Sequence, residues 1–385
     1  MNLIKSIALT TGSFLSGQGI LYPIITPTGR IYVFFIDTSN SDPSYVYSDN
    51  YGFTWSSPVA FKSCTTVSMS VWYDRWSGIN ADLAHVVYTD SSSDDTFYRT
   101  LDCSNNTLGT ERTVFAGAST TSAGVLSVTR ARGGNIMVVT CIDDTTEYDT
   151  RKSTNLGVNW TSTTTDVYEA GSTDQLCLIP GWNADNQDVM AIFWDSSADE
   201  ISVKRYDDSA DTWTETSIST GMVESVSGTT TGFPHFAISV DLANSRNVLI
   251  AWTAVDTANA DLKCWTIDDT TITGKTDVVL NSTDDQGLAA ISIKDTTWTV
   301  YYVGKSDGSH SFNSDIAIYY KTSTNGGTTW SSEQELISNF KDNIVSIFVP
   351  IINNNNQFIT YYRNAYSVNC IVSSLTPRVT YQLGI

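Results

Sequence analysis

Seven strongly apolar segments recur along the chain at nearly constant spacing, and this spacing limits the fold more than any other feature. They read RIYVFFID, LAHVVYTD, IMVVTCID, VMAIFWD, NVLIAWTAVD, TWTVYYVG and QFITYYR. Their centres, near residues 33, 87, 138, 191, 250, 301 and 359, lie 51 to 59 residues apart. A repeat of about 50 residues, with strands in place of long amphipathic helices, predicts a ring of four-stranded antiparallel blades.

Within each repeat the order of segments is constant: strand, short turn, apolar strand, polar loop, third strand, polar turn and outer strand. The sequence therefore predicts an all-β, seven-bladed β-propeller that occupies residues 1–385 as one domain. Its last blade contains only three strands, so we expect residues 2–10 to supply the outer strand and close the ring, with the tail RVTYQLGI as the alternative. The predicted blades are 20–62, 66–116, 124–169, 175–220, 235–280, 287–338 and 343–374.

Three polar turns share one frame: SDNYGFTW at 48–55, STNLGVNW at 153–160 and STNGGTTW at 323–330. A degraded copy, YDDSADTW, lies at 206–213. We call these four segments the box turns. Their glycine permits the positive φ of a tight turn, and the Asn or Asp side chain folds back onto backbone N–H groups. The closing Trp begins the next strand, and we expect its ring to be substantially buried.

The frame resembles the Asp-box, or BNR repeat, of sialidase-like β-propellers, although Asn stands where that family prefers Asp. The degraded copy has Ala210 in the place of the glycine. The resemblance implies the propeller fold and leaves function open, because such boxes occur in hydrolases, lyases and non-catalytic receptors. The residues that carry it are Ser48, Asn50, Gly52, Thr54 and Trp55; Ser153, Asn155, Gly157 and Trp160; Asp208, Thr212 and Trp213; and Ser323, Asn325, Gly327, Thr329 and Trp330.

Strand direction alternates within a blade, so the box turns and the first–second turns lie on one face of the ring. Second-strand ends and the loops that lead into each blade lie on the other face, where propeller active sites normally open. We therefore expect the box turns to be structural.

The resemblance also implies what a sialidase would need, namely three arginines around a carboxylate, a Tyr–Glu nucleophile and an Asp acid. Its first arginine lies in an Arg-Ile-Pro segment, but Leu21 stands at that position in ILYPIITPTGR. Arg363 is the only arginine at the end of a second strand. These departures argue against sialidase activity. A propeller-type lyase, which would want a His, a Tyr and an Arg, remains the enzyme alternative, with Tyr22 or Tyr366 as its tyrosine.

Polar residues repeat at the ends of the second strands, and we call this set the rim. One interpretation is a recognition surface for a neutral glycan or for acid–base chemistry. The other is that each Asp caps a strand and begins a turn. The rim comprises Asp37, Asp90, Asp143, Asp195 and Asp256, together with His235, His310 and Arg363.

A net charge of −20 disfavours nucleic acid and anionic membrane surfaces, and no apolar run approaches the roughly 20 residues that cross a bilayer. The acidity is equally explained by solubility. The six cysteines show no zinc-ligand spacing, so we expect free thiols and no cofactor, with calcium held inside a single loop as the open alternative.

We therefore expect a non-catalytic binding or structural module that contacts a glycan or a protein. The composition, rich in Ser, Thr, Asn and Tyr without a recognisable signal peptide, resembles that of bacteriophage tail or head-decoration proteins. The competing expectation is a glycan-active enzyme, either a hydrolase or a lyase.

Overall fold

The computed structural model shows a chain of 31 β-strands, with one short 3-10 helix at Leu242–Asn244, among the residues that it describes. No helix in those residues is long and apolar enough to cross a membrane. The described residues are 3–10, 12–13, 23–37, 39–50, 52–66, 68–73, 82–117, 126–141, 148–164, 167, 173–182, 185–195, 200–220, 236–252, 260–269, 271–280, 286–305, 317–337, 344–349, 356–363 and 367–374.

The strands form seven antiparallel sheets, and six of these are blades built from one continuous stretch of chain. The first strand, β1 (Leu3–Thr10), belongs to the seventh sheet. The first blade contains β2 (Gly12–Ser13), β3 (Ile24–Ile25), β4 (Ile31–Asp37), β5 (Asp42–Ser48) and β6 (Val59–Ala60). The second contains β7 (Met69–Tyr73), β8 (Leu83–Asp90), β9 (Asp95–Asp102), β10 (Thr107–Leu108) and β11 (Arg112–Phe115). The third contains β12 (Leu126–Arg130), β13 (Ile136–Cys141), β14 (Tyr148–Ser153) and β15 (Thr161–Ser162).

The next three blades follow the same order. The fourth contains β16 (Thr173–Pro180), β17 (Val189–Asp195), β18 (Glu200–Asp207) and β19 (Thr212–Thr220). The fifth contains β20 (Phe236–Asp241), β21 (Arg246–Trp252), β22 (Ala260–Asp268), β23 (Thr271–Gly274) and β24 (Val279–Leu280). The sixth contains β25 (Gly287–Lys294), β26 (Thr297–Val303), β27 (Ile318–Ser323) and β28 (Gln334–Ile337).

The seventh sheet combines the two ends of the chain. It contains β29 (Ile344–Phe348), β30 (Asn356–Arg363) and β31 (Ser367–Ser374), and β1 pairs with β31 at its outer edge, with Ile7 opposite Cys370. The fold is thus an all-β propeller of four-stranded antiparallel blades; in the first, second and fifth blades one edge strand is divided into two short strands that pair with the same neighbour. Six of these are blades of consecutive strands, one fewer than the seven predicted, because the C-terminal segment alone supplies only three strands. Closure of the whole ring by β1 stays a prediction.

The second strand of each blade is buried on both of its faces, which explains its nearly continuous apolar sequence. In β4, for example, every residue from Ile31 to Ile36 is buried. Apolar clusters run from blade to blade: one cluster joins Trp72, Val128, Ile192, Phe236 and Leu249, which belong to blades two to five. Packing between blades therefore forms the core.

The tryptophans that fill this core differ from those that the sequence suggested. Trp72, Trp194 and Trp298 are each about 1% exposed. The box-turn tryptophans are instead half-buried, so the prediction of substantial burial holds only in part; these residues are Trp55, Trp160, Trp213 and Trp330. The reason is position, because each follows a turn at the edge of its blade. Trp160, Trp213 and Trp330 pack on the core clusters from outside.

Candidate functional site

The antiparallel order of the strands divides the surface into two faces. One face, the box face, carries the four box turns and the turns between first and second strands. The other, the strand-end face, carries the ends of the second strands, such as Asp37 in β4, Asp90 in β8 and Asp195 in β17. Because the predicted rim and the box turns lie on opposite faces, they are separate candidates for function.

The box turn of the first blade is closed by its own side chains. Ser48 Oγ accepts a hydrogen bond from Gly52 N at 2.8 Å and donates one to Asn50 Oδ1 at 3.0 Å. Asn50 Oδ1 also accepts from Thr54 N at 2.8 Å, while Asn50 Nδ2 donates to Thr54 Oγ1 at 2.8 Å. Gly52 has a φ of 85°, which an L side chain rarely adopts. Asn50 thus accepts the backbone hydrogen bond that an Asp would accept at this position.

The other two close matches repeat this network. In the sixth blade, Ser323 Oγ accepts from Gly327 N at 3.0 Å, and Asn325 Oδ1 accepts from Thr329 N at 3.0 Å. The third blade has the corresponding bonds from Gly157 N to Ser153 Oγ at 2.9 Å and from Asn159 N to Asn155 Oδ1 at 2.9 Å. Three copies with one hydrogen-bond pattern identify the frame as a unit of turn structure.

The degraded copy in the fourth blade forms a shorter turn. Asp207 Oδ1, one residue earlier than expected, accepts from Ser209 N at 3.0 Å and from Ala210 N at 3.0 Å. Asp208 points to the neighbouring blade, where Lys152 Nζ donates to its Oδ1 at 2.9 Å. The loss of the glycine therefore accompanies a change from an internal network to a contact between blades.

Each described turn between third and fourth strands, from the second blade to the sixth, contacts the blade that precedes it in the chain. Cys103 O accepts from Tyr32 OH at 2.9 Å, and Trp160 packs edge-on against Tyr98 with ring centroids 5.2 Å apart. In the turn of the fifth blade, Asp269 Oδ1 lies 3.2 Å from Arg205 Nε of the fourth blade. In the sixth blade, Trp330 Nε1 donates to Thr276 O at 2.9 Å. With the Lys152–Asp208 pair, these five contacts tie consecutive blades together.

The contact between Tyr98 and the box turn of the third blade reaches a buried histidine. Tyr98 OH lies 2.7 Å from His85 Nδ1, and His85 is fully buried. Burial lowers the pKa of His85 to about 3, with the charge of Arg130 acting in the same direction. The histidine is therefore neutral at physiological pH, as expected for a structural residue inside a strand.

On the strand-end face, Asp37 and Asp90 begin the same kind of turn. Asp37 Oδ1 accepts from Ser39 N at 3.0 Å and from Ser39 Oγ at 2.8 Å, and Asp90 Oδ1 accepts from Ser92 N at 3.0 Å and from Ser92 Oγ at 2.6 Å. Both therefore cap their strands. Capping uses one carboxylate oxygen and fixes where the second oxygen points.

The two aspartates differ in the surroundings of that second oxygen. Lys62 Nζ lies 3.4 Å from Asp90 Oδ2, and Asp90 is only 4% exposed. Burial acts to raise the pKa of Asp90, but hydrogen bonds from Ser92 and Lys62 outweigh it and lower that pKa. Asp37 is half-buried, and its Oδ2 accepts no hydrogen bond from the part of the chain that the structure describes. Asp37 is thus the more available of the two.

Sequence reasoning missed two further carboxylates that bond to strand tyrosines. Tyr88 OH donates to Glu111 Oε2 at 2.6 Å, and Tyr302 OH donates to Glu333 Oε2 at 2.7 Å. Burial, followed by the bond to the glutamate, raises the pKa of each tyrosine. One sequence feature could have indicated these pairs. In both the second and the sixth blade, a Tyr lies near the end of the second strand and a Glu directly precedes the outer strand.

Two further rim residues are placed by the ends of their strands. Asp195 and Arg363 end β17 and β30, which places their backbone on the strand-end face, but their side chains are outside the description. Asp143, Asp256, His235 and His310 lie outside the described residues. Convergence of the whole rim therefore stays a prediction. Among the described residues no group of three or more His, Cys, Asp or Glu is arranged to hold a metal ion.

Comparison with known proteins relates this chain to others by structure alone. No family model and no curated protein sequence matches it. An ulvan lyase, a polysaccharide lyase bound to -[GlcA(1-4)Rha3S]-, superposes with a TM-score of 0.58 at 9% identity, covering 96% of each chain. YCF48 from Cyanidioschyzon merolae gives 0.54 at 15% identity, covering 96% of this chain and 98% of that one. A triple mutant of AofleA from Arthrobotrys oligospora gives 0.50 at 12% identity, covering 88% and 91%. These similarities show that the chain has the β-propeller fold.

Proposed function

We propose that this protein is a non-catalytic β-propeller binding module that holds a neutral glycan on its strand-end face. The observation that carries the proposal is the fixed carboxylate of Asp37, whose Oδ1 is occupied by Ser39 while Oδ2 accepts nothing from the described residues. An acceptor held in this way binds a sugar hydroxyl without first losing side-chain freedom. The sequence repeats Asp at the ends of four further second strands, among which Asp90 already pairs with Lys62.

Charge selects the kind of glycan. With a net charge of −20, the protein repels anionic polysaccharides, whereas neutral sugars approach without that penalty. The full-length similarity to an ulvan lyase supports the proposal only as an instance of a propeller that holds an oligosaccharide.

A pair of matched variants tests the proposal. Asp37→Asn keeps the oxygen that caps the turn and replaces the free acceptor by a donor. Asp207→Asn makes the same change at an Asp-x-Ser turn on the opposite face, where Asp207 Oδ1 accepts from Ser209 N at 3.0 Å. Binding is measured by affinity electrophoresis on starch, mannan, galactan and chito-oligosaccharides.

Loss of a hydrogen bond to a charged acceptor weakens binding by about 10- to 100-fold, so Asp37→Asn should show this loss and Asp207→Asn should bind like the parent. Equal binding by both variants would exclude Asp37. A parent that binds none of the four glycans would refute the proposed function.

The alternative function is a glycan-active enzyme, favoured by the similarity over 96% of the chain to a polysaccharide lyase. Incubation with polysaccharides and detection of new reducing ends or unsaturated products distinguishes the two, because a binding module releases neither. A place in a bacteriophage virion rests on composition alone, and proteomics of purified particles would test it.

A further inference from the structure

Gln286 occupies a distinctive place at the inner edge of the sixth blade. It directly precedes β25, the first strand of that blade, and β25 packs against β20 and β29, the first strands of the flanking sheets. Gly287 pairs with Val303 at the end of β26, so Gln286 stands beside Gly304 on the strand-end face. First strands line the centre of a propeller, which puts Gln286 at the inner margin of this face.

The side chain of Gln286 is buried without a hydrogen-bond partner among the described residues. The residue is 1% exposed, and neither Nε2 nor Oε1 has a hydrogen-bond partner among the residues that the structure describes. A buried amide that no protein group satisfies is unfavourable unless another molecule supplies its hydrogen bonds. Buried polar atoms of this kind are rare and call for a specific explanation.

The backbone beside Gln286 is also irregular. Leu288 has a φ of 51°, a left-handed conformation that is costly for a bulky side chain. Its side chain is nevertheless buried, with 1% of the residue exposed. The pairing of β25 with β26 shifts register between Gly287 and Ala290. Bulges and residues held in such conformations concentrate near binding sites. Two independent irregularities, one of polarity and one of backbone, therefore meet at the same strand end.

We propose that the Gln286 amide is a sugar-binding group of the strand-end face and contacts a pair of neighbouring hydroxyls on a neutral saccharide. The inference rests on the proposed function and names a specific contact within it. A carboxamide offers one acceptor oxygen and two N–H donors, which matches adjacent hydroxyl groups that both donate and accept. Turning this side chain toward a ligand breaks no hydrogen bond to the described residues, and the ligand hydroxyls would supply partners for both Nε2 and Oε1.

The test uses two variants that each remove an unpartnered buried polar group. Gln286→Met keeps the length of the side chain. The control is Thr129→Val in β12, since Thr129 Oγ1 is also buried without a partner among the described residues. Thermal unfolding and affinity electrophoresis on starch, mannan, galactan and chito-oligosaccharides are measured for both variants and for the parent.

We expect both variants to melt at or above the melting temperature of the parent. Only Gln286→Met should bind the glycan that the parent binds at least about tenfold more weakly, which corresponds to the loss of one hydrogen bond or more. A fall of many degrees in the melting temperature of Gln286→Met would show that the amide has a structural partner and overturn the inference. Unchanged glycan binding by Gln286→Met, beside a parent that binds, would overturn this inference alone. A parent that binds none of the glycans would overturn the proposed function and this contact with it.

Discussion

Replacement of Gly157 by alanine tests whether the box turns hold neighbouring blades together. Gly157 has a φ of 79°, and a Cβ added to it would lie 2.7 Å from Cδ1 and 2.8 Å from Cζ of Tyr98, in the preceding blade. Real side chains do not approach this closely, so either the box turn of the third blade or the Tyr98 ring has to move. Since Tyr98 is 2% exposed and packed against Trp160, neither moves freely.

The magnitude follows from two separate costs. A left-handed backbone costs a non-glycine residue about 1–2 kcal/mol. Overpacking a well-filled core costs about 1–3 kcal/mol more. We therefore expect Gly157→Ala to lower the free energy of unfolding by about 2–5 kcal/mol. Gly117→Ala is the matched control, because Gly117 has a φ of 69° but nothing lies within 4 Å of its added Cβ. It should show the backbone cost alone.

Urea unfolding followed by tryptophan fluorescence measures both variants against the parent. A double variant adds a second check: in a Tyr98→Leu background, the extra methyl group should cost no more than it does at Gly117. Equal destabilisation by Gly157→Ala and Gly117→Ala would refute the reasoning, because the contact between blades would then contribute nothing.

Three further predictions concern the turns, the buried histidine and the terminal strand. Ser323→Ala removes the hydroxyl that accepts from Gly327 N and should destabilise the protein by about 1–3 kcal/mol in urea unfolding. His85 has a folded pKa of about 3, below the value of about 6.5 in an unfolded chain, so the unfolded state takes up the proton first and this histidine lowers stability as pH falls from 6.5 towards 3. His85→Gln should remove this part of the pH dependence of the free energy of unfolding, which is at most about 1.4 kcal/mol per pH unit. Unfolding of the variant and of the parent at pH 7 and at pH 5 measures it. Deletion of residues 2–10 should lower the melting temperature because β31 loses its partner, whereas deletion of residues 378–385 should not; the reverse result would assign the outer strand to the tail.

The sequence was informative wherever the physical cause is local. The hydrogen bonds of a box turn join Ser48 to Gly52 and Asn50 to Thr54, only four residues apart. The motif predicted the bond from a backbone N–H to Asn50, and the structure adds the equally local bond to Ser48. The period of the apolar strands likewise predicted four-stranded blades, because each blade folds back on itself through short turns. The second strands were recognisable because burial on both faces demands an unbroken apolar run.

Contacts between blades could not be predicted in this way. Asp37 and Asp90 share the sequence Asp-x-Ser and the same turn. Of the two, only Asp90 forms an ion pair, because Lys62 reaches it from the preceding blade. Nothing in the local sequence indicates which rim aspartate has such a neighbour. The half-burial of Trp160 depends in the same way on Tyr98, 62 residues earlier in the chain. The sequence therefore predicted only a row of positions, and the chemical difference between Asp37 and Asp90 became visible only in the structure.

The five contacts between turns and preceding blades all run in one direction along the chain. Every turn from the second blade to the sixth finds its partner in a segment that a ribosome has already released, such as Tyr32 for the turn at Cys103 or Thr276 for Trp330. We therefore expect the blades to assemble in order during synthesis, each new hairpin docking on a finished neighbour. Folding during synthesis generally proceeds from the N-terminal end. In this arrangement, each turn finds its partner blade already synthesised when it emerges.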